Sequence, residues 1–128
     1  MYPRDWKLFL ETGAGKEIAI AQLSRKMTAH LGASSEKVYL HHDYAVKAVV
    51  KHRLGPEHFP LIFDTVEYGR ALADRDAHIT FLHDSALGWF QVTVKRAMES
   101  RRIYVATFYK TNVVEVARKT KRYPLLRE

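Results

Sequence analysis

Three runs of β-forming residues separated by short turns dominate the second half of the sequence. The runs are His78–His83, Trp89–Arg96 and Ile103–Lys110, and the turns are Asp84–Gly88 and Ala97–Arg102. Apolar and polar residues alternate within the runs, which is typical of strands with one buried face. Connections this short join antiparallel neighbours. The pattern therefore predicts an antiparallel meander of three strands.

Helical patterns are concentrated in the first half of the chain. Trp6–Leu10 and Glu17–Leu31 are predicted helices separated by a glycine-containing break, and Lys37–Leu40 is a predicted short strand. We therefore expect one domain, with a helical N-terminal part at residues 1–36 and a helix-plus-sheet core at residues 37–128.

Two more helices are predicted between the short strand and the meander. Asp43 is a plausible N-cap for the first, which ends near Arg53 and whose expected buried stripe is Ala45, Val46, Val49 and Val50. Pro60 opens the second, which extends to about Ala73 with the inward residues Leu61, Ile62, Val66 and Leu72. Val113–Arg122 is predicted to be a terminal helix or a further strand. Helices followed by a meander indicate an α+β domain in which N-terminal helices pack on a compact antiparallel sheet.

The surplus positive charge of the chain lies in residues 95–128. Residues 1–94 contain equal numbers of basic and acidic side chains, whereas residues 95–128 contain three acidic residues and ten basic ones: Lys95, Arg96, Arg101, Arg102, Lys110, Arg118, Lys119, Lys121, Arg122 and Arg127. The excess equals the formal net charge of the protein, +7. Such a concentration is typical of a surface that binds a polyanion, most often nucleic acid.

Composition excludes several classes of protein. A length of 128 residues with 47% hydrophobic residues allows one domain with its own core. No apolar run approaches the roughly 20 residues of a membrane span, and the first residues lack the pattern of a signal peptide. The absence of cysteine excludes disulfides, a thiolate nucleophile and Cys-ligated zinc. Adjacent residues such as His41–His42–Asp43 rarely ligate one metal together, so neither a metal nor a cofactor is expected.

Alternation along the middle strand of the meander separates two faces. One face, expected to meet the helices, contains Phe90, Val92 and Val94, and the other contains Trp89, Gln91, Thr93 and Lys95. In the next strand Thr107 and Tyr109 share one face, and the opposite face is expected to contain Tyr104, Ala106, Phe108 and Lys110. If Thr107 and Tyr109 lie beside the polar face, the sheet presents the donors and the cation that phosphodiester cleavage requires. The alternative is an ordinary solvent face made of β-forming residues.

His52 is the candidate acid–base residue. It lies three residues after Val49, at the edge of the expected buried stripe, with Lys51 before it and His58 in the loop that follows. An imidazole is the usual base for a ribose 2′-hydroxyl. The alternative is a hydrogen-bonded structural histidine.

A second set of residues is expected to contact the polyanion. Basic side chains supply phosphate contacts, aromatic rings supply stacking surface for unpaired bases, and two further histidines lie near helix ends. These candidates are Lys51, His41, His58, Trp89, Lys110, Arg118, Lys119 and Arg122. The alternative for the basic terminal run is a solvated helix face.

Four segments carry a resemblance to a known family: 38–40, 50–52, 89–95 and 103–109. They resemble the small toxin nucleases of the barnase–EndoU–colicin–RelE superfamily, especially the phage-associated and contact-dependent toxin domains, over about residues 37–122. The resemblance implies a ribonuclease fold of that type and metal-independent cleavage. It also implies that His52 is the acid or base, Lys95 the phosphate-stabilising cation, and Thr107 and Tyr109 the hydroxyl pair, with His41 and His58 both open as a second histidine.

The expected function is therefore a metal-independent ribonuclease toxin domain that cleaves tRNA or another structured RNA and leaves 2′,3′-cyclic phosphate ends. We expect action in the cytoplasm, after delivery as the C-terminal part of a larger toxin if the chain is a piece of one, and a cognate immunity protein with an acidic surface. Two alternatives stay open: a non-catalytic RNA- or DNA-binding phage accessory module, and a protein-interaction domain.

Overall fold

The computed structural model describes residues 5–128 and shows an α+β domain, as the sequence predicts. The helices are α1 (Trp6–Thr12), α2 (Arg25–Leu31), α3 (His42–His52), α4 (Pro60–Tyr68) and α5 (Val113–Arg122), with a 3-10 turn at Pro56–His58. The strands are β1 (Glu17–Gln22), β2 (Lys37–His41), β3 (Arg70–Ala73), β4 (His78–Ser85), β5 (Gly88–Arg96), β6 (Ile103–Lys110) and β7 (Leu125–Arg127). Among these described residues no helix has the length and apolarity to cross a bilayer.

The strands form one seven-stranded sheet in the order β1-β2-β6-β5-β4-β3-β7. The predicted meander β4-β5-β6 is present at its centre, with antiparallel pairing throughout. The β2–β6 pair is parallel and short, joining Val38 to Ile103 and Tyr39 to Tyr104. The sheet is therefore mostly antiparallel, and its central strands are the ones that the sequence pattern predicts.

The two faces of the sheet are covered unequally. Helices α1–α4 pack on one face, where their apolar side chains meet Phe81, Phe90, Val92, Val94 and Phe108 in the main core. On the opposite face α5 contributes Val116 to a small cluster with Leu72 and Leu82, against which Trp89 and Tyr123 pack. Helix α5 therefore covers part of the polar face of β5, which separates that part from solvent without making it part of the main core.

The predicted helix Glu17–Leu31 is wrong in its first half. Glu17–Gln22 is strand β1, which pairs with β2 and buries Ile20. Helix α2 begins only after Ser24, whose Oγ accepts a hydrogen bond from the N–H of Met27 at 3.2 Å. Pairing and burial outweigh the helix propensity of the alanine, glutamate and glutamine in this segment.

The predicted helix from Pro60 to about Ala73 is also too long. Helix α4 ends at Tyr68, and Arg70–Ala73 forms β3 between β4 and β7. A Cβ on Gly69 would lie 2.4 Å from the carbonyl oxygen of Thr65 and 2.8 Å from that of Leu82, so this closely packed turn requires glycine. Leu72 is buried, but in the small cluster under α5.

Helix α3 differs from its prediction at its start and on its buried face. The N-cap is His41, whose Nδ1 accepts a hydrogen bond from the N–H of Asp43 at 3.0 Å, so Asp43 lies inside the first turn. The expected stripe is wrong at two positions, because Val50 is 76% exposed and Val46 is 37% exposed. The residues that are fully buried in this helix beside His42 are Ala45 and Ala48. A narrow stripe of small residues suits a helix lying against the edge of β6.

A bulge in β6 changes which face its first half presents. Thr93 pairs with Thr107, but Val94 pairs with Val105, which leaves Ala106 as the extra residue. Tyr104 consequently pairs with Lys95 and lies on the same side of the sheet as Thr93. The expectation that Tyr104 lies opposite Thr107 and Tyr109 is therefore wrong.

Candidate functional site

A polar cleft of about 420 Å³ lies between the second face of the sheet and α5. The strands contribute Gln91, Thr93, Thr107 and Tyr109 to its floor. Helix α5, the residue after it and the β3–β4 loop contribute the walls: Lys119, Arg122, Tyr123, Asp74 and Arg75. Three cations and one carboxylate line the cleft, so its net positive charge favours an anionic ligand.

The floor of the cleft has the pairing expected from strand alternation. Gln91 lies opposite Tyr109, and Thr93 lies opposite Thr107. The four polar side chains therefore project from neighbouring positions on one face. The hydroxyl of Thr107 is buried and has no hydrogen-bond partner within residues 5–128, which leaves it available to a bound group.

A chain of hydrogen bonds fixes the polar groups beneath the cleft. Thr80 Oγ1 donates to Asp74 Oδ2 at 2.8 Å, so its single proton is committed and it accepts from Thr93 Oγ1, also at 2.8 Å. Thr93 in turn accepts from Gln91 Nε2 at 3.2 Å. This polarity leaves the Oε1 of Gln91 as an acceptor directed at α5.

Lys119 is the cation at the centre of this network. Its Nζ donates to Gln91 Oε1 and to the hydroxyl of Tyr109, the latter at 3.0 Å, and lies 5.5 Å from the centroid of the Tyr109 ring. Because Tyr109 accepts from Lys119, its own hydroxyl proton stays free to donate. The ammonium group is thus held in place above the sheet, between the amide oxygen of Gln91 and the hydroxyl of Tyr109.

His52 lies beside the cleft at the end of α3. Its ring centroid is 5.1 Å from that of Tyr109. Partial burial lowers the pKa of His52 below its ordinary value, and the positive charge of Lys51 lowers it further. The imidazole is therefore neutral near physiological pH, which is the state that a general base requires.

One hydrogen bond joins α3 to the edge of the sheet, in addition to the packing of Ala45 and Ala48 in the core. Strand β2 covers only the first residues of β6, so the second half of β6 has a free edge. Tyr44 covers this edge, because its hydroxyl accepts a hydrogen bond from the N–H of Phe108 at 2.6 Å. Two helical turns later, His52 is brought against Tyr109.

Of the four predicted catalytic residues, Thr107 and Tyr109 line the cleft. His52 is not among the lining residues but contacts one of them, Tyr109. Lys95 lies outside the cleft, exposed between His78 and Tyr104, and the lysine that lines the cleft is Lys119. Lys119 is one of the predicted phosphate contacts. Nothing in the local pattern indicates which lysine faces Gln91, because that depends on how α5 packs.

The other predicted contact residues are dispersed. His58 lies on the core side, where its Nδ1 accepts from the N–H of Gly55 at 2.8 Å and its ring lies 5.8 Å from Phe90. Trp89 packs against the small cluster under α5. Lys51 and Lys110 are exposed, next to His52 and at the end of β6 respectively.

Three predicted contacts remain, and they differ in role. His41 caps α3 and lies on the same sheet face as the cleft, beyond β6. Arg118 forms an ion pair with Glu115 at 2.6 Å and points along α5. Arg122 lines the cleft and lies over the ring of Tyr123, 5.4 Å from its centroid. Asp74 and Arg75 were not predicted, and the sequence around them carries no motif.

No protein-family model matches the chain, and no similar protein is found among curated proteins or solved structures. Within residues 5–128 no group of three or more histidine or acidic side chains is arranged to hold a metal ion. The geometry of the cleft is therefore the basis for assigning a function.

Proposed function

We propose that this chain is a metal-independent endoribonuclease domain that acts through the cleft between β5, β6 and α5. The observation that carries the proposal is the convergence of Lys119, Tyr109 and Thr107 in a cationic cleft beside a histidine whose pKa is lowered. A cation and hydroxyl donors stabilise a pentacoordinate phosphate, and a neutral imidazole activates a hydroxyl. The resemblance to toxin nucleases implies the same roles for His52, Thr107 and Tyr109.

In the proposed reaction the ribose 2′-hydroxyl attacks the adjacent phosphorus and the bond to the 5′-oxygen breaks. His52 accepts the proton of the 2′-hydroxyl, and the departing 5′-oxygen takes a proton from water. Lys119 compensates the charge on the nonbridging oxygens, which Thr107 and Tyr109 hold by donating hydrogen bonds. The products are a 2′,3′-cyclic phosphate and a 5′-hydroxyl.

The substrate and the setting belong to the same proposal. A positively charged cleft with tyrosine walls fits RNA, and the resemblance implies tRNA or another structured RNA as the target. By the same resemblance the domain acts in the cytoplasm of a target cell and is neutralised by an acidic immunity protein.

The test is cleavage of total bacterial RNA in EDTA by the wild type, His52→Ala and Lys119→Gln, with His30→Ala and Lys26→Gln as matched controls. Both control residues are exposed on α2. Wild type and controls should give discrete fragments with cyclic phosphate ends. Loss of a general base costs about 10²–10⁴-fold and loss of an oxyanion donor about 10²–10³-fold, so both cleft variants should leave RNA largely intact.

Two other results would each replace the proposal. Intact RNA with folded wild-type protein, together with a salt-dependent mobility shift, would indicate a binding module. Intact RNA without a shift would indicate a protein-interaction domain. Cleavage by His52→Ala at the wild-type rate would remove His52 from the mechanism.

A further inference from the structure

The sheet face that carries the cleft continues past α5 onto β2 and β1. Lys95 pairs with Tyr104, and Tyr104 pairs with Tyr39, so the three side chains form a row across the sheet. The tyrosine rings lie 6.0 Å apart. The β6 bulge is what adds Tyr104 to this face, and two residues along a strand span about 7 Å. The row therefore begins one step from the cleft residues Thr93 and Thr107.

Arg102 lies over this row and is held there by the Tyr39 ring and by Glu17. Its guanidinium carbon is 3.7 Å from the centroid of the Tyr39 ring and 5.9 Å from that of Tyr104. Its Nη1 donates to Glu17 Oε1 at 2.6 Å, and 34% of the side chain is exposed. One side of the guanidinium thus rests on Tyr39 while part of the group faces solvent.

The charges in this region are divided between two side chains. Glu17 compensates the charge of Arg102, so Arg102 offers a planar surface more than a free charge. Lys95 is exposed and has no hydrogen bond or ion pair within the described part of the chain, so its charge is available. A flat surface beside a free cation matches a nucleobase and its phosphate.

We propose that Tyr39, Arg102 and Tyr104 form a stacking subsite for the nucleotide next to the phosphate in the cleft, with Lys95 on the neighbouring phosphate. The inference rests on the proposed ribonuclease function and narrows its substrate to RNA that is unpaired beside the cleavage site, because only an unpaired base can stack on a guanidinium plane. In this proposal Lys95 binds the neighbouring phosphate of the substrate and does not stabilise the transition state.

The test compares KM values for an unstructured RNA decanucleotide and for a dinucleotide, which fills only the cleft. Wild type should have the lower KM for the decanucleotide. Loss of one stacked base costs about ten- to a hundredfold in affinity, so Tyr104→Ala should reduce the decanucleotide's advantage by about that factor. Arg102→Lys, which keeps the charge and loses the plane, should act in the same direction.

Controls are Tyr68→Ala, at an exposed tyrosine of α4, and Arg25→Lys, at an exposed arginine of α2. Both should retain the wild-type KM ratio. If the wild type cleaves and the ratio is unchanged in Tyr104→Ala and in Arg102→Lys, the subsite is overturned while the ribonuclease proposal stands. If Tyr104→Ala does not fold, Arg102→Lys decides alone.

Binding of a 2′-O-methyl decanucleotide, measured by fluorescence anisotropy, separates the two proposals further. This probe cannot be cleaved, so it reports on the subsite even if the wild type proves inactive. Weaker binding by Tyr104→Ala and Arg102→Lys supports the subsite. Equal binding by the wild type and both variants overturns it.

Discussion

Replacing Thr93 by valine tests the hydrogen-bond chain under the cleft. Thr93 is 2% exposed, and its hydroxyl lies between Thr80 Oγ1 at 2.8 Å and Gln91 Nε2 at 3.2 Å. Because Thr80 gives its own proton to Asp74, Thr93 donates to Thr80 and accepts from Gln91. Valine has nearly the same shape and removes both bonds at once.

The expected cost follows from the group that is left without a partner. In Thr93→Val the Nε2 of Gln91, a residue 4% exposed, loses its acceptor. A buried polar group left unsatisfied costs about 1–3 kcal/mol, whereas Thr80 keeps its bond to Asp74. The free energy of unfolding should therefore fall by about 1–3 kcal/mol, with a Tm lower by roughly 4 °C per kcal/mol for a domain of this size.

The measurement is urea unfolding followed by circular dichroism, in which the midpoint should fall at constant m-value. The matched control is Thr65→Val. Thr65 is 0% exposed, and its hydroxyl is buried without a hydrogen-bond partner in the described residues. The same substitution there should not destabilise. A double-mutant cycle with Thr80→Val should give a coupling energy of about 1 kcal/mol. Equal stability of Thr93→Val and Thr65→Val would refute the reasoning that the Thr93 hydroxyl is the acceptor on which Gln91 Nε2 depends.

Two further predictions concern the base and the C-terminal strand. Lys51→Gln removes the positive charge that helps to lower the pKa of His52, so the pKa should rise and the acid limb of the kcat/KM profile should move to higher pH. Lys47→Gln, an exposed position on the same helix, should leave that limb in place, and an unmoved limb in Lys51→Gln would argue against His52 as base. Arg127→Met removes the guanidinium that donates to the carbonyls of Val66, at 2.7 Å, and Gly69 at the end of α4; it should lower the free energy of unfolding by about 1.5–3 kcal/mol without changing kcat. Unchanged urea stability would show that solvent replaces these bonds.

The parts of the fold that sequence predicts well are those with local signals. Strands β4, β5 and β6 are marked by alternation and by short turns, and both depend only on neighbouring residues. Alternation also puts Gln91 and Thr93 on one face of β5, and Thr107 and Tyr109 on one face of β6. The observed pairing joins these two faces as the floor of the cleft. Periodicity therefore groups four of the nine residues that line the cleft.

The strands that sequence analysis missed have helix-compatible compositions. Strand β1 is rich in alanine, glutamate and glutamine, and its conformation is decided by pairing with β2 and burial of Ile20. Signals for the boundaries were nevertheless present. Ser24 is a strong N-cap residue and marks the start of α2, and Gly69 marks the end of α4. These two residues predict the boundaries between β1 and α2 and between α4 and β3 better than the average helix propensity of the segments does.

Local sequence patterns do not indicate whether Lys95 or Lys119 lines the cleft. Lys95 and Lys119 are both basic residues near the polar face of β5, but α5 covers one end of that face and leaves the other open. Lys119 is held by Gln91 and Tyr109 in a partly enclosed cleft, where a charge interacts more strongly with a bound phosphate than it does in open solvent. Lys95 lies beyond the helix in water, where screening weakens the same interaction. The catalytic role proposed for Lys119 therefore depends on where α5 docks, and the binding role proposed for Lys95 depends on the extra residue in β6. Neither feature is expressed in the periodicity of β5.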